Sequence, residues 1–318
     1  MKDIIVPLAG LDVSGLELVA NLDDHPLGTF SNDEAGLLQL RQRLPAGCHV
    51  HLEASGGHDR LARHRLTEWG YQVHLHNPRK VRRMADGAGI RYKNDKADAR
   101  ALVKVGPVVV SRPPKDASQE ELCDLSRTIE SLKEHSASMQ RQMKTPLLPK
   151  VCLKAYEETV RFIKARIQKL EKDYLQKVKG SAFKERYELA RNVACIGPIA
   201  ARVLTCELPL DLAGLTTGKI TSYAGLAPMD NQSGKRNSPR HICKGNSHLK
   251  AAMYFPALTA VRTEPWATRL YASAVAKGKN KDQAIVPVMR KILARTAAVL
   301  LRGTAFTAAP PPHKNKLK

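Results

Sequence analysis

The chain is 318 residues long, 43% hydrophobic and 26% charged, with 52 lysines and arginines against 30 aspartates and glutamates, a net charge of +22 and a pI near 9.9. That length suggests roughly two domains with a core in each and excludes a small stapled scaffold. The charge fits a polyanionic partner, nucleic acid before any small acidic substrate; an anionic membrane would call for a basic amphipathic helix with a bulky apolar face or a lipidation signal, and neither is found.

The charge is concentrated late. From Lys235 to Lys318 there are 17 lysines and arginines against only Glu264 and Asp282, whereas residues 1–60 are slightly acidic. Cys48, Cys123, Cys152, Cys195, Cys206 and Cys243 form no CxxC pair and have no histidine at finger spacing, which argues against structural zinc and a disulfide framework. The start MKDIIVPLAGLDVSG lacks a cleavable signal pattern and no apolar run reaches membrane-span length, so the expectation is a reducing, intracellular compartment.

In chain order, IIVPLAGLDV and LELVANL read as two strands that can pair as a hairpin, and EAGLLQLRQRL has helical spacing. CHVHLEAS is a strand, DRLARHRLTEWG a helix and YQVHLHNP another strand. Such alternation predicts a mixed sheet covered by helices, an α/β domain. After VVVSRPPKD, Leu122, Leu125, Ile129, Leu132, Met139 and Met143 keep a helical spacing interrupted at Ser136. Val160, Ile163, Ile167, Leu170 and Tyr174 resume it beyond TPLLP. Two long antiparallel helices, or a coiled coil between protomers, would bury both stripes. LARNVACIGPIAARVLTCEL then reads as two helices joined by a tight turn, a shape that can offer backbone N–H groups to phosphate, and YAGLAPMDNQSGKRNSPRHICKGN as a polar, glycine-bearing loop. AAMYFPALTAVR and IVPVMRKILARTAAVLLRG are helical, and the tail APPPHKNKLK is expected to be disordered.

The stretch IRYKNDKADARAL places Asp95 and Asp98 three residues apart at a helix start. Taken alone, it is a capped helix: Asn94 or Asp95 as N-cap, Asp98 offsetting the dipole and Arg100 an ordinary surface charge. Residues three apart also share a helical face. Asp12 ends the first strand and Glu53 lies in another, so both can lie at a shared sheet edge, with Asp95 and Asp98 coming in from a neighbouring helix. Four carboxylates brought together repel one another unless cations hold them, and oxygen-only ligation suits Mg²⁺ or Mn²⁺. Taken singly, Asp12 is as well explained by a turn cap and Glu53 by a neighbouring lysine or histidine.

GLDVSG, HLEASGG and NPRKVRRMADGAGIRYKNDKADARAL resemble, in order and spacing, the DEDD domain of bacterial insertion-sequence transposases of the one-ten family, which includes DNA-inverting relatives. The resemblance implies a ribonuclease-H-like, Holliday-junction-resolvase-like fold in which Asp12, Glu53, Asp95 and Asp98 are the catalytic, metal-binding quartet. SYAGLAPMDNQSGKR resembles the family's second block, which makes Ser233, before Gly234, the nucleophile. The organisation implied is a ribonuclease-H-like domain over 1–112, a helical coiled-coil connector over 113–180, a mainly α, serine-containing transposase domain over 181–306 and a basic tail over 307–318.

Further implications are a covalent phosphoserine link to DNA, assistance from Mg²⁺ or Mn²⁺, and target choice by a structured bridge RNA that pairs with donor and target DNA. The family works as a homo-oligomer, dimer or tetramer, in which the carboxylate domain of one protomer meets the serine domain of another; a cytoplasmic, nucleoid-associated protein is expected. Low aromatic content, 5%, agrees with grip through phosphates rather than base stacking. Expected phosphate contacts are Arg79, Lys80, Arg82 and Arg83, then Lys235, Arg236, Arg240, Lys244 and Lys250. The chain departs from the family at Gly15, where lysine is usual, at Ala194–Gly197, where a turn close to PGIG is usual, and at Cys243, where serine is usual. A junction-resolving metal-dependent nuclease and a catalytically silent nucleic-acid-binding protein are the alternatives.

Overall fold

Strand β1 (Leu8–Val13) and β2 (Glu17–Leu22) are antiparallel, closed by a turn in which the Ser14 Oγ accepts from the Glu17 amide at 3.0 Å. The second turn runs through Asp23 and Asp24, both at positive φ (47° and 72°), a conformation that short acidic side chains tolerate. It leads into β3 (His25–Ser31). This third strand was not expected from the sequence, because Pro26 and Gly28 weaken its pattern; a proline is tolerated there because β3 is the sheet edge. The rest of the first region is α1 (Glu34–Arg43), β4 (His49–Glu53), α2 (Arg60–Glu68), β5 (Gln72–His76), α3 (Pro78–Gly87) and α4 (Asp95–Val105). The sheet order is β3-β2-β1-β4-β5, with β1, β4 and β5 parallel.

The structure is a computed structural model that describes residues 6–90, 94–111, 115–233, 236–242 and 245–304, with the backbone alone at 229–233 and 236–241. The chain divides into two compact units, Met1–Ala117 and Ser118–Lys318.

Side chains alternate across each strand, and the two faces of the sheet differ in kind. Ala9, Leu11, Val13, Val50 and Leu52 point into an apolar core with Leu37 and Leu40 of α1 and Ala62 and Leu66 of α2. The opposite face carries Gly10 and Asp12 on β1 and His49, His51 and Glu53 on β4, and α4 lies against it. Gly10 is what allows α4 so close: a Cβ there would stand 2.0 Å from the Ala99 carbonyl oxygen.

The second unit is helical except for one hairpin. Helices α5 (Ala117–Gln142) and α6 (Lys150–Lys179) run antiparallel, bridged by Lys133–Glu171 and Lys177–Glu121 at 2.7 and 2.6 Å. The apolar stripes meet within one chain, Leu122 and Ile129 against Ile163, Ile167 and Tyr174. Helices α7 (Phe183–Arg191) and α8 (Pro198–Glu207) are the expected pair. Cys195, in the turn between them, has φ +69°, a left-handed backbone normally left to glycine. After α9 (Thr217–Tyr223) the expected polar loop is instead a two-stranded hairpin, β6 (Pro228–Ser233) and β7 (Arg236–Ile242). Its strands carry no apolar alternation, so the pairing is invisible to a pattern read from hydrophobicity. Helices α10 (Ser247–Thr263), α11 (Pro265–Ala276) and α12 (Lys281–Arg302) close the unit around Met253, Ala257, Val288 and Leu293. The tail lies outside the described residues. Among those described, no helix is long and apolar enough to cross a membrane.

Candidate active site

Helix α4 begins as its sequence suggests. Asn94 is the N-cap, its Oδ1 accepting from the Ala97 amide at 2.8 Å, and Asp95 and Asp98 fill the first turn. Because α4 packs across Gly10, that first turn stands over the sheet face that carries Asp12 and Glu53. The first turn that Asn94 caps thus carries two of the four candidate site residues. Two ties hold the surrounding loops: Asn32 Nδ2 donates to the Ser14 carbonyl at 2.8 Å and to the His58 carbonyl at 3.0 Å, joining the segments that follow β1 and β4. At Gly15 the His58 ring takes the adjacent space, 3.4 Å from where a Cβ would stand.

The four acids feel one another. Burial, then the charges of Asp95 and Asp98, push the Asp12 carboxyl up to about 6, partly offset by a hydrogen bond from the Val13 amide. Burial, then Asp12 and Asp98, push Glu53 up to about 7. Asp98 is 29% exposed and has the Arg82 guanidinium 4.0 Å away, while Arg82 also pairs with Asp86 at 3.1 Å. Among the described residues, no three His, Cys, Asp or Glu side chains stand close enough together to hold one metal ion. The donor set is nonetheless all oxygen and strongly anionic, which fits a hard divalent cation.

The sequence reading missed what lies beneath these acids. HVHLE and QVHLH place His49, His51, His74 and His76 on the same sheet face as Glu53, with Glu53 opposite His76 in register. His51 Nδ1 and His76 Nε2 are 2.9 Å apart, one ring donating and the other accepting, and the His51 and His74 rings stack at 4.7 Å. Burial, then the neighbouring imidazoles, push His51 down to about 3 and His76 to about 4. Both are therefore neutral near pH 7 and supply no positive charge to relieve the carboxylates. The alternation of histidine with Val and Leu in both strands was the available signal.

Ser233 ends β6 and pairs in register with Arg236, the first residue of β7, at the opposite end of the hairpin from Pro228 and Ile242. Nothing is described of the Ser233, Arg236 and Arg240 side chains, and Lys235, Lys244 and Cys243 lie outside the described residues. Arg79, Lys80 and Arg83 are exposed on α3; Arg82 is half-buried, and Lys250 is half-buried on α10.

Both halves of this chain match known proteins. Residues 10–151 match the family model of DEDD transposases of the IS110 type, and residues 187–272 match the transposase IS116/IS110/IS902 family. The first match contains Asp12, Glu53, Asp95 and Asp98, and the second contains Ser233. The chain is 26% identical over 295 residues to the pilin gene-inverting protein of Moraxella lacunata, covering 87% of this chain and 89% of that one. It is 25% identical over 293 residues to the pilin gene-inverting protein of Moraxella bovis, covering 87% and 89%. Over 117 residues it is 32% identical to the insertion element IS110 uncharacterized 43.6 kDa protein of Streptomyces coelicolor, covering 36% of this chain and 29% of that one. A mixed sheet with acids gathered under one helix, joined in sequence to a helical unit, is here the frame of a DNA-rearranging enzyme. The chain belongs to the IS116/IS110/IS902 family of transposases.

Proposed function

We propose that the protein cuts and rejoins DNA by attack of the Ser233 hydroxyl on a backbone phosphate, assisted by divalent metal held by Asp12, Glu53, Asp95 and Asp98. The observation that carries this reading is that Asp12, which feels the charges of Asp95 and Asp98 at the start of α4, and Glu53, which feels those of Asp12 and Asp98, share one sheet face, with the neutral His51 and His76 behind them. The charged forms of Asp12 and Glu53 are disfavoured there, and an added positive charge would relieve them. Mg²⁺ or Mn²⁺, when bound, supplies that charge and polarises the phosphodiester. Asp12 and Glu53 on the sheet, with Asp95 and Asp98 on the helix start pinned at Gly10, are the residues that would hold the metal.

In the attack the Ser233 Oγ–P bond forms as one backbone P–O bond breaks. The serine proton is given up and the departing sugar oxygen takes one. Bond energy is conserved in the phosphoserine, so reversal onto another strand rejoins DNA without a high-energy cofactor. We extend the reading to a ribonuclease-H-like first domain, a helical connector, a serine-bearing domain, and a homo-oligomer in which serine and carboxylates act at one phosphate. Donor and target DNA are the substrates, in the bacterial cytoplasm, and a structured bridge RNA selects them. The excess of basic residues after Lys235 supports two nucleic-acid partners. The name of the Moraxella relatives supports inversion of a DNA segment as one outcome.

The test is to trap a protein–DNA adduct on a nicked or suicide substrate with Mg²⁺ or Mn²⁺. The adduct is expected for the unaltered chain and absent in Ser233→Ala. Metal-dependent cleavage that survives Ser233→Ala would instead identify a hydrolytic, junction-resolving nuclease using the carboxylates alone. Salt-sensitive binding without cleavage under either metal would identify a silent binding protein.

A further inference from the structure

Away from the carboxylates, the second unit buries one acid with care. Glu207, the last residue of α8, is 2% exposed, and its carboxylate is fully engaged. Arg127 of α5 grips it with both arms, Nε donating to Oε1 at 2.7 Å and an Nη to Oε2 at 3.1 Å. Asn246 Nδ2 donates to Oε2 at 2.9 Å, and the Tyr223 hydroxyl donates to the Glu207 backbone carbonyl at 3.1 Å.

Tyr223 and Asn246 are the two ends of the segment that carries Ser233. Tyr223 closes α9, a few residues before β6; Asn246 is the N-cap of α10, a few residues after β7, with its Oδ1 accepting from the Leu249 amide at 3.1 Å. The two ends also bond directly, the Asn246 amide donating to the Tyr223 carbonyl at 2.8 Å. Between them Gly245 passes Gly225 at backbone contact, where a Cβ on Gly245 would lie 2.2 Å from the Gly225 nitrogen. The hairpin therefore leaves and re-enters the helical unit through a single knot.

A buried carboxylate, even one paired to a half-exposed arginine, is a costly way to hold helices together, since well-packed apolar residues often serve stability as well or better. Its distinctive property is direction: a carboxylate with three side-chain donors permits one arrangement of those donors. We infer that Glu207 is a positioning residue for the serine reaction. Through Asn246 and Tyr223 it fixes the root of the β6–β7 hairpin, and through Arg127 it references that root to the long helix α5. The inference rests on the reading of Ser233 as nucleophile.

The clamp and the serine are separable by experiment. In Glu207→Gln one carboxylate oxygen becomes an amide that opposes its donors. In Asn246→Ser the N-cap of α10 is kept and only the link to Glu207 is lost. Adduct formation is followed in single turnover across DNA concentrations. Both variants are expected to lower the rate at saturating DNA by roughly 10- to 100-fold, the scale of a misplaced reacting group, with half-saturation changed by less than about threefold. Amide hydrogen exchange, which needs no chemistry, is expected to quicken in β6 and β7 by about tenfold while α10 and α12 keep their protection.

Unchanged rate and unchanged exchange in both variants overturn the clamp and leave the serine standing. Loss confined to half-saturation, or exchange raised throughout the unit, also overturns it, since that marks a general fold defect. Faster hairpin exchange together with an adduct that persists in Ser233→Ala upholds the clamp at the hairpin root and removes its catalytic purpose.

Discussion

The two places where this chain gathers buried acid are built in opposite ways. On the sheet, Asp12 is raised to about 6 by burial and the charges of Asp95 and Asp98, and Glu53 to about 7 by burial and the charges of Asp12 and Asp98, over His51 and His76 held neutral. In the helical unit, Glu207 is more deeply buried, yet every direction from its carboxylate ends in a donor. The second arrangement is compensated within the unit; in the first, burial and neighbouring charge hold two carboxyls against ionisation. Burial thus serves two ends: a compensated acid can hold other groups in place, and an uncompensated one is a candidate for chemistry.

Several changes sharpen this contrast. The largest effect is expected at Gly10, where an added methyl meets the α4 backbone. Gly10→Ala is predicted to cost more than ~3 kcal/mol, above ordinary overpacking because backbone must move, and to show as a loss of cooperative unfolding in the first unit.

Next come the uncompensated acids. Their raised values mean that, without metal, the folded protein holds these protons more tightly than the unfolded chain does. Their contribution to stability is then most favourable below about pH 4 and declines as pH rises through the range up to about 6 for Asp12 and about 7 for Glu53. Glu53→Gln removes part of that decline. After discounting for solvent screening of a half-exposed group, a gain on the order of 1 kcal/mol is expected at pH 8 in chelator, read from thermal or denaturant unfolding, while DNA cleavage is lost. A stability loss instead would show that Glu53 is already compensated.

The smallest effect is at Cys195, a non-glycine residue at φ +69°. Cys195→Gly relieves that strain at some cost in chain entropy, and a net gain of roughly 0.5–1 kcal/mol is expected in denaturant unfolding.

Much of this was legible beforehand, for physical reasons. β1, β2, β4, β5, α1 and α2 announce themselves by periodicity, and α5 and α6 by apolar stripes that pack against each other within the chain. β3 was hidden by Pro26 and Gly28, and the β6–β7 hairpin by strands without apolar alternation. At the candidate site, the residues alone read as a capped helix start and two strand acids, and it was the resemblance of their motifs to a family that joined them, whereas the histidines behind Glu53 looked like ordinary strand residues until register placed them on its face. Glu207 was not legible at all, since its meaning comes from Arg127 and Asn246, 80 and 39 positions away in sequence.

The most direct test of the central claim is a Mn²⁺ titration at neutral pH, followed by electron paramagnetic resonance of the free ion, on the unaltered chain and on a variant carrying Asp12→Asn and Glu53→Gln. The account predicts saturable binding to the unaltered chain that disappears in the variant while the helical signal of both proteins stays the same. Equal binding by the two, with both folded, would contradict it.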